Sequence, residues 1–230
     1  MANEHKGHRS RMRQRYINGG FDNFADHEIL EMILYYCYPQ KDTNPLAHRL
    51  LEYFGSLSAI MEAPLDSLID AGASENAAVF LRMIPDLSRV YLDDRNNNKN
   101  KIIDLDRIGE YFLSKYIGRH DEHVMLLLMD AKGKEVYCGV VAVGTASGSD
   151  VPIRKIVDLS MRYNATNAVI AHNHPSGVAL PSKADLNTTA TLAEMLSYIG
   201  VQLVDHIIIS DNDFISLRDS TLCDDIFTDD

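Results

Sequence analysis

Apolar residues recur at helical spacing through the first part of the chain. The pattern is clearest in three stretches: Ile29, Met32, Ile33 and Tyr36; Leu46, Leu50 and Phe54; Val79, Leu81, Ile84, Leu87 and Leu92. Because an α-helix has about 3.6 residues per turn, side chains three or four positions apart share one face. The spacing predicts that this part of the chain is entirely helical.

Short turn signals separate these predicted helices. Tyr38-Pro39 ends the first one, and Gly55 followed by Ser56 supplies a C-cap and then an N-cap. Pro64 opens another short helix, because proline fits the first helical turn.

The pattern changes in the second part of the chain. Residues 124–129 are apolar at every position, as in a strand that is buried on both faces of a sheet. Around this strand we predict helices and strands in turn: a helix over 105–116, a β-segment over 135–143 after a Lys132-Gly133 turn, a helix over 151–161, a strand over 168–171, a helix over 183–199, and strands over 202–210 and 214–217. This order predicts a three-layer α/β/α domain.

A polar segment lies between the two patterns. Residues 93–100 contain no apolar side chain and include a run of asparagines. We interpret this segment as an interdomain linker, which divides the chain into a helical domain over 1–92 and an α/β domain over 101–230.

The charge of the chain bears on its partners. The 22 Lys and Arg residues against 33 Asp and Glu residues give a net charge of −11. The surface as a whole therefore repels polyanions, so any nucleic-acid binding needs a local basic patch. The apolar stretches are far shorter than the roughly 20 residues of a membrane span, and no apolar segment of a secretory signal follows the basic N-terminus. We expect a cytoplasmic protein without a membrane span.

The cysteine pattern indicates neither disulfide bonds nor a zinc site built on thiolates. Cys37, Cys138 and Cys223 are odd in number, widely separated and without a CxxC pair. This pattern argues against a disulfide framework and against a zinc site built on thiolates.

One short segment carries residues suited to metal chemistry. His172 and His174 follow a buried strand at positions i and i+2, which point to the same side of an extended backbone and can share one metal ion. Ser182 is a candidate N-cap, and Asp185 falls in the first turn of the next helix, where its carboxylate can turn back towards the imidazoles. Two histidines and one aspartate leave the fourth position of a zinc ion open for water, as in catalytic sites.

Hydrolysis also needs a proton acceptor beside that water. A carboxylate at the start of the buried strand over 122–129 would be desolvated, and its pKa raised. Glu122 is the candidate, although nothing local distinguishes it from Asp121.

Simpler interpretations exist for each of these residues. A Ser-x-x-Asp pair is often only a helix cap, and an isolated His-x-His is often incidental, but their conjunction favours a metal site. Glu122 can be a solvated residue at a strand end. His206, inside a predicted strand, is either a satisfied core histidine or a support for the metal ligands.

The segment from His172 to Asp185 resembles the JAMM (MPN-plus) zinc signature, HxHP followed by SxxD. The text around it resembles the RadC family of bacterial JAB-domain proteins over nearly the whole chain, in AHNHPSG, PSKAD, GHRSRMRQRY, FADHEILEMILYY, KDTNPLAHRLLEYFGSL, SENAAVFL, VGTASG and VDHIIIS. The resemblance implies a cytidine-deaminase-like core and zinc bound by His172, His174 and Asp185. It gives Glu122 the role of the glutamate that deprotonates the water, and Ser182 that of the serine that stabilises the oxyanion.

The resemblance also implies candidate functions. JAMM enzymes are peptidases or isopeptidases, so a peptide or protein substrate is expected. A nucleoside deaminase would need H-x-E and P-C-x-x-C motifs, which are absent from the sequence. A scaffold that binds proteins without catalysis is disfavoured because the ligand set is complete.

A DNA-repair accessory protein is the alternative function. The RadC family carries an old DNA-repair label, and the helical region resembles a helix-hairpin-helix domain, whose glycine-rich hairpin donates N–H groups to phosphates. Here the hairpin sequence, Gly72 to Glu75, has serine in place of the second glycine and an acid directly after it, which weakens such a site. The one basic cluster is Lys6, Arg9, Arg11, Arg13 and Arg15.

Overall fold

The computed structural model describes residues 4–96, 102–144, 151–175, 177–210, 213–220, 223, 226 and 227. The chain divides into two compact units, Met1–Ser88 and Arg89–Asp230. Within the described ranges, no helix is both long enough and apolar enough to cross a membrane.

The first unit is helical wherever it has regular structure in the described ranges, as predicted. Its helices are α1 (Glu4–Gly19), α2 (Asp26–Cys37), α3 (Asn44–Phe54), α4 (Leu57–Glu62), α5 (Leu65–Asp70) and α6 (Glu75–Asn96), the last of which continues into the second unit. A single apolar cluster joins α2 to α6, and its fully buried members include Leu34, Leu50, Ile60, Leu68 and Leu81. Burial of each such side chain contributes about 1.5–3 kcal/mol.

The predicted helix boundaries in this unit are confirmed. Gly55 has a φ of +88° and ends α3, as a left-handed C-cap requires. The Ser56 hydroxyl accepts the N–H of Ala59 at 3.1 Å and begins α4. Tyr38 ends α2 and Pro64 precedes α5.

The predicted linker over 93–100 differs from the structure in its first half. Helix α6 extends to Asn96, and the Lys115 ammonium contacts the Asp93 carboxylate at 2.8 Å near the end of this helix. Polar composition alone does not end a helix, and the segment contains neither glycine nor proline. Residues 97–100 lie outside the described ranges, and the division of the chain into two units falls after Ser88.

The second unit is a five-stranded sheet with helices on both faces. After a 3₁₀ turn at Leu105–Arg107, its elements are α7 (Ile108–Tyr116), β1 (His123–Met129), β2 (Glu135–Val143), α8 (Ile153–Arg162), β3 (Asn167–Asn173), α9 (Lys183–Ser197), β4 (Gln202–Ser210) and β5 (Asp213–Ser216). The strand order is β2-β1-β3-β4-β5, with β3 and β4 parallel and the other neighbours antiparallel. The sequence predicted this alternation, including the turn at Gly133, whose φ is +72°.

Two apolar clusters cover the two faces of the sheet. Leu127 of β1 packs with Phe112 of α7 on one face. Leu126, its neighbour in the strand, packs with Ile156 of α8 and Leu192 of α9 on the other. Side chains along a strand alternate between faces, so a continuous apolar strand needs a helical layer on each side. The three-layer α/β/α prediction is confirmed, and the α9 face is the one on which the candidate site lies.

Candidate metal centre

Three potential metal ligands converge at the end of β3 and the start of α9. His172 and His174 lie two positions apart on the face that α9 covers, and Asp185 lies in the first turn of α9. The His172 Nε2 atom is 2.9 Å from His174 Nε2 and 3.4 Å from Asp185 Oδ1. His174 Nε2 is 3.9 Å from Asp185 Oδ2. This is a group of His, Cys, Asp or Glu residues in the described part of the chain that can hold a metal ion.

The geometry of the three residues fits a small divalent cation. Ligand atoms at about 2.0–2.1 Å from an ion in tetrahedral arrangement lie about 3.4 Å apart. The 2.9 Å between the two Nε2 atoms and the 3.4 Å from His172 Nε2 to Asp185 Oδ1 are close to this value, and His174 Nε2 lies 3.9 Å from the other carboxylate oxygen, Oδ2. The side chains of His172 and Asp185 are 5% and 3% exposed, whereas that of His174 is 19% exposed. A bound ion would therefore be open to solvent on the His174 side.

Ser182 and Asp185 form a helix cap that also orients a candidate ligand. The Ser182 hydroxyl accepts the backbone N–H of Asp185 at 3.1 Å, and the Ser182 N–H donates to Asp185 Oδ2 at 2.7 Å. The two interpretations of this motif are therefore compatible, since one carboxylate both completes the cap and faces the histidines. A hydroxyl that accepts a hydrogen bond still has a proton to donate, so the oxyanion role of Ser182 stays a prediction.

The pairing of β1 with β3 bears on the position of Glu122. Glu122 directly precedes β1, so it lies one residue outside the observed strand although the predicted strand over 122–129 included it, and it is half-buried. Val124 pairs with His172, and continuing the two-residue alternation of the strand back from Val124 predicts Glu122 on the α9 face and Asp121 on the opposite one. The pairing thus gives a reason to prefer Glu122 over Asp121, while the role of Glu122 as a base stays a prediction.

Asn173 fixes the backbone around Glu122. Its Oδ1 accepts the N–H of His123 at 2.7 Å, and its Nδ2 donates to the carbonyl of Asp121 at 3.0 Å. The Glu122 carbonyl itself accepts the N–H of Gly144 at 2.8 Å. No local sequence signal indicates this role of Asn173, because it depends on the pairing of β1 with β3.

A buried series of polar side chains contacts His172 on its Nδ1 side, away from the other candidate ligands. His206 Nε2 is 2.8 Å from His172 Nδ1, and His206 Nδ1 is 2.6 Å from Thr189 Oγ1. Burial lowers the pKa of His172 to about 4, partly opposed by the Asp185 carboxylate, and burial also lowers the pKa of His206. Both rings are therefore neutral at pH 7, which is the form that binds metals. Of the two interpretations of His206, the contact with His172 favours support of the ligands.

The N–H groups of the degenerate hairpin in the first unit are used internally. The N–H groups of Gly72 and Ala73 donate to carbonyls of α5 at 2.9 and 3.0 Å, and the Ser74 N–H donates to the Tyr38 hydroxyl at 2.6 Å. A helix-hairpin-helix motif binds phosphate through such N–H groups. In this structure they already have protein acceptors.

Part of the basic cluster is likewise engaged within the first unit. Arg9 donates to the carbonyls of residues 38, 39 and 41, just after α2. Arg15 forms an ion pair with Glu28 at 2.7 Å. Arg11 and Arg13 are exposed. The surface available to a polyanion is therefore smaller than the sequence suggests.

An α/β/α sheet with two histidines at the end of a central strand and an aspartate in the first turn of the next helix defines a JAB-type domain. Comparison with known proteins agrees with this class. The family model of a RadC-like JAB domain matches residues 102–222. The chain is 35% identical to the UPF0758 protein FN0909 of Fusobacterium nucleatum subsp. nucleatum in an alignment 228 positions long, which covers 95% of this chain and 98% of that protein.

The chain belongs to the RadC family of JAB-domain proteins. Membership of this family points towards a hydrolase in general. JAB-domain proteins are often zinc-dependent, and the His172, His174 and Asp185 group is suited to a metal ion.

Proposed function

We propose that the protein is a zinc-dependent hydrolase of peptide or isopeptide bonds. The observation that carries the proposal is the convergence of two imidazole nitrogens and a carboxylate within 4.8 Å of one another. His172, His174 and Asp185 would hold the ion. When bound, zinc supplies a water molecule whose pKa is lowered to about 7, together with Lewis acidity towards a carbonyl oxygen.

The remaining steps fall to residues of this chain. Glu122, which the pairing of Val124 with His172 predicts on the same face of the sheet, takes a proton from the attacking water as the water oxygen bonds to the carbonyl carbon. The same carboxyl then returns that proton to the amine nitrogen as the C–N bond breaks. The Ser182 hydroxyl donates a hydrogen bond to the oxyanion that forms in between and keeps its proton. The open side at His174 gives the substrate access.

Metal analysis tests the first part of this proposal. Protein purified without chelators should contain about one zinc ion per chain by plasma mass spectrometry, and His174→Ala should lose it. If the native protein holds no stoichiometric divalent metal, or if His174→Ala holds as much as the native protein, the metal site is wrong.

A cleavage screen tests the second part. We expect zinc-loaded protein to cleave members of a peptide library, and Glu122→Gln to keep zinc but lose turnover. Asp121→Asn is the matched control, since strand alternation predicts this neighbouring acid on the other face, and the variant should keep the wild-type activity. Full activity of Glu122→Gln would assign the base to another residue.

A further inference from the structure

A closed network of polar contacts begins and ends at Asp185. The Thr189 hydroxyl lies 2.6 Å from the backbone carbonyl oxygen of Asp185 and 2.6 Å from His206 Nδ1. His206 Nε2 then contacts His172 Nδ1, and His172 Nε2 faces the Asp185 carboxylate. Thr189, His206 and His172 are 0%, 1% and 4% exposed, so water does not compete for these contacts.

The donor and acceptor groups in this network allow only one assignment of which atom donates each hydrogen bond. A carbonyl oxygen can only accept, so the single hydroxyl proton of Thr189 is donated to Asp185. The Thr189 oxygen must then accept from His206 Nδ1–H. A neutral imidazole has one N–H, so His206 Nε2 accepts, and His172 Nδ1 is the donor.

This assignment of the hydrogen bonds determines which ring nitrogen of His172 is unprotonated and can bind a metal ion. With the proton on Nδ1, the lone pair of Nε2 points towards His174 and Asp185, where the three candidate ligands meet. In water, neutral histidine more often carries its proton on Nε2, which would block that atom. The hydrogen bond on one ring nitrogen therefore sets the availability of the other.

We propose that His206 is a positioning residue, which holds His172 in the tautomer and orientation required for metal binding. The inference rests on the proposed metal role of His172, and it assigns His206 no contact with substrate. Thr189 and the Asp185 carbonyl are also part of this arrangement, because they determine which ring nitrogen of His206 carries its proton. The first turns of α9 thus provide a ligand and also control the state of a second ligand.

Nitrogen-15 NMR of metal-free protein tests the tautomer directly. With histidine labelled on both ring nitrogens, two-bond ¹H–¹⁵N spectra near pH 7.5 should show His172 protonated on Nδ1 in the wild type. His206→Leu should move this proton to Nε2 or mix the two forms. His206→Gln can accept from His172 and donate to Thr189 and should retain the wild-type form. A wild-type His172 protonated on Nε2, or an unchanged tautomer in a folded His206→Leu, would overturn the inference.

Zinc affinity provides the second measurement. We expect His206→Leu to weaken zinc binding by about 10- to 100-fold, in the range found when the partner of a ligating histidine is removed. His206→Gln should remain close to the wild type, and it serves as the folded variant if His206→Leu does not fold. Weakened binding in His206→Gln as severe as that of His174→Ala would contradict a positioning role.

The two proposals fail in different ways. If wild-type protein binds no zinc, the proposed function fails, yet the NMR spectrum still reports the His172 tautomer. If wild-type protein binds zinc and folded His206→Leu binds it equally well, the role of His206 is wrong and the metal site stands.

Discussion

The side-chain amide of Asn173 forms hydrogen bonds with the backbone on both sides of Glu122. It accepts the N–H of His123 and donates to the carbonyl of Asp121, at 2.7 and 3.0 Å. Asn173 stands between His172 and His174 in sequence, and its side chain points to the opposite face of β3. The strand that carries two candidate ligands therefore also sets the backbone position of the proposed base.

Replacement of Asn173 should separate turnover from metal binding. Asn173→Asp keeps the acceptor for His123 but places a carboxylate oxygen against the Asp121 carbonyl, which should displace Glu122. We expect kcat to fall by about 10- to 100-fold, because small misplacements of a reacting group are costly, while KM and zinc content change little. Steady-state kinetics and metal analysis measure these quantities.

Asn167 provides the matched control for this prediction. It is an asparagine at the other end of β3, where its amide contacts Thr166 and the Asp130 carbonyl. Asn167→Asp should leave kcat unchanged. An equal fall of kcat in both variants would indicate general damage to the sheet and would contradict a specific link between Asn173 and Glu122.

Substitutions of Ser182 should distinguish its cap from its proposed catalytic hydroxyl. Ser182→Ala removes both and should lower the free energy of unfolding by about 0.5–2 kcal/mol, whereas Ser182→Gly should cost only a few tenths. Both should reduce kcat by about 100-fold or more, as loss of one oxyanion donor does elsewhere. Ser182→Thr retains a hydroxyl and should recover much of both. Normal turnover in Ser182→Gly would limit this serine to capping.

The Arg15–Glu28 pair should give the first unit a defined acid sensitivity. Two hydrogen bonds from Arg15 and one from the Ala25 N–H hold the pKa of Glu28 at about 2, below its usual 4.5. A carboxyl with a lowered folded-state pKa stabilises the fold above its unfolded pKa, near 4.5, and this contribution disappears as the pH falls to about 2.

Denaturant unfolding across this pH range measures the effect. We expect wild type to be more stable than Glu28→Gln near pH 7, and the difference to shrink between pH 4.5 and 2. Glu52→Gln, at an exposed glutamate of α3, should show a smaller change with pH. A difference between wild type and Glu28→Gln that grows on acidification would contradict the assignment.

Binding to nucleic acid should be absent or weak. The N–H groups of residues 72–74 in the hairpin have internal acceptors, and Arg9 and Arg15 contact partners within the first unit. We expect no binding to duplex, forked or single-stranded DNA even at about 50 mM salt, where phosphate contacts are strongest. Binding that weakens with salt and disappears in an Arg11→Ala, Arg13→Ala double variant would restore the DNA-associated alternative.

The sequence predicted those parts of the fold that local patterns determine. The bounds of β2 and β4, Glu135–Val143 and Gln202–Ser210, match the prediction because long β-rich runs define them. The predicted strand over 168–171 was too short, because His172 and Asn173 are polar by type yet buried through hydrogen bonds. Periodicity predicted helix α6 but not that Val79 and Leu87 lie 49% and 60% exposed.

In the candidate site too, local patterns identified some residues, whereas the contacts of others depend on strand pairing. His172, His174 and Asp185 could be identified from one short motif, since a strand end and a helix start bring them together. The contacts of His206 with His172 and of Asn173 with His123 join residues 34 and 50 positions apart. Such contacts depend on how the strands pair, and no local pattern encodes them.

The pairing of Val124 with His172 has a consequence for chain length. Side chains alternate across the sheet, so one residue inserted or deleted in β3 before His172 would turn both imidazoles to the other side, among Phe112 and its apolar neighbours. A substitution in β3 alters one side chain, whereas a change of length would exchange the two faces for every residue that follows. Along this strand, the number of residues is therefore under stricter constraint than their identity.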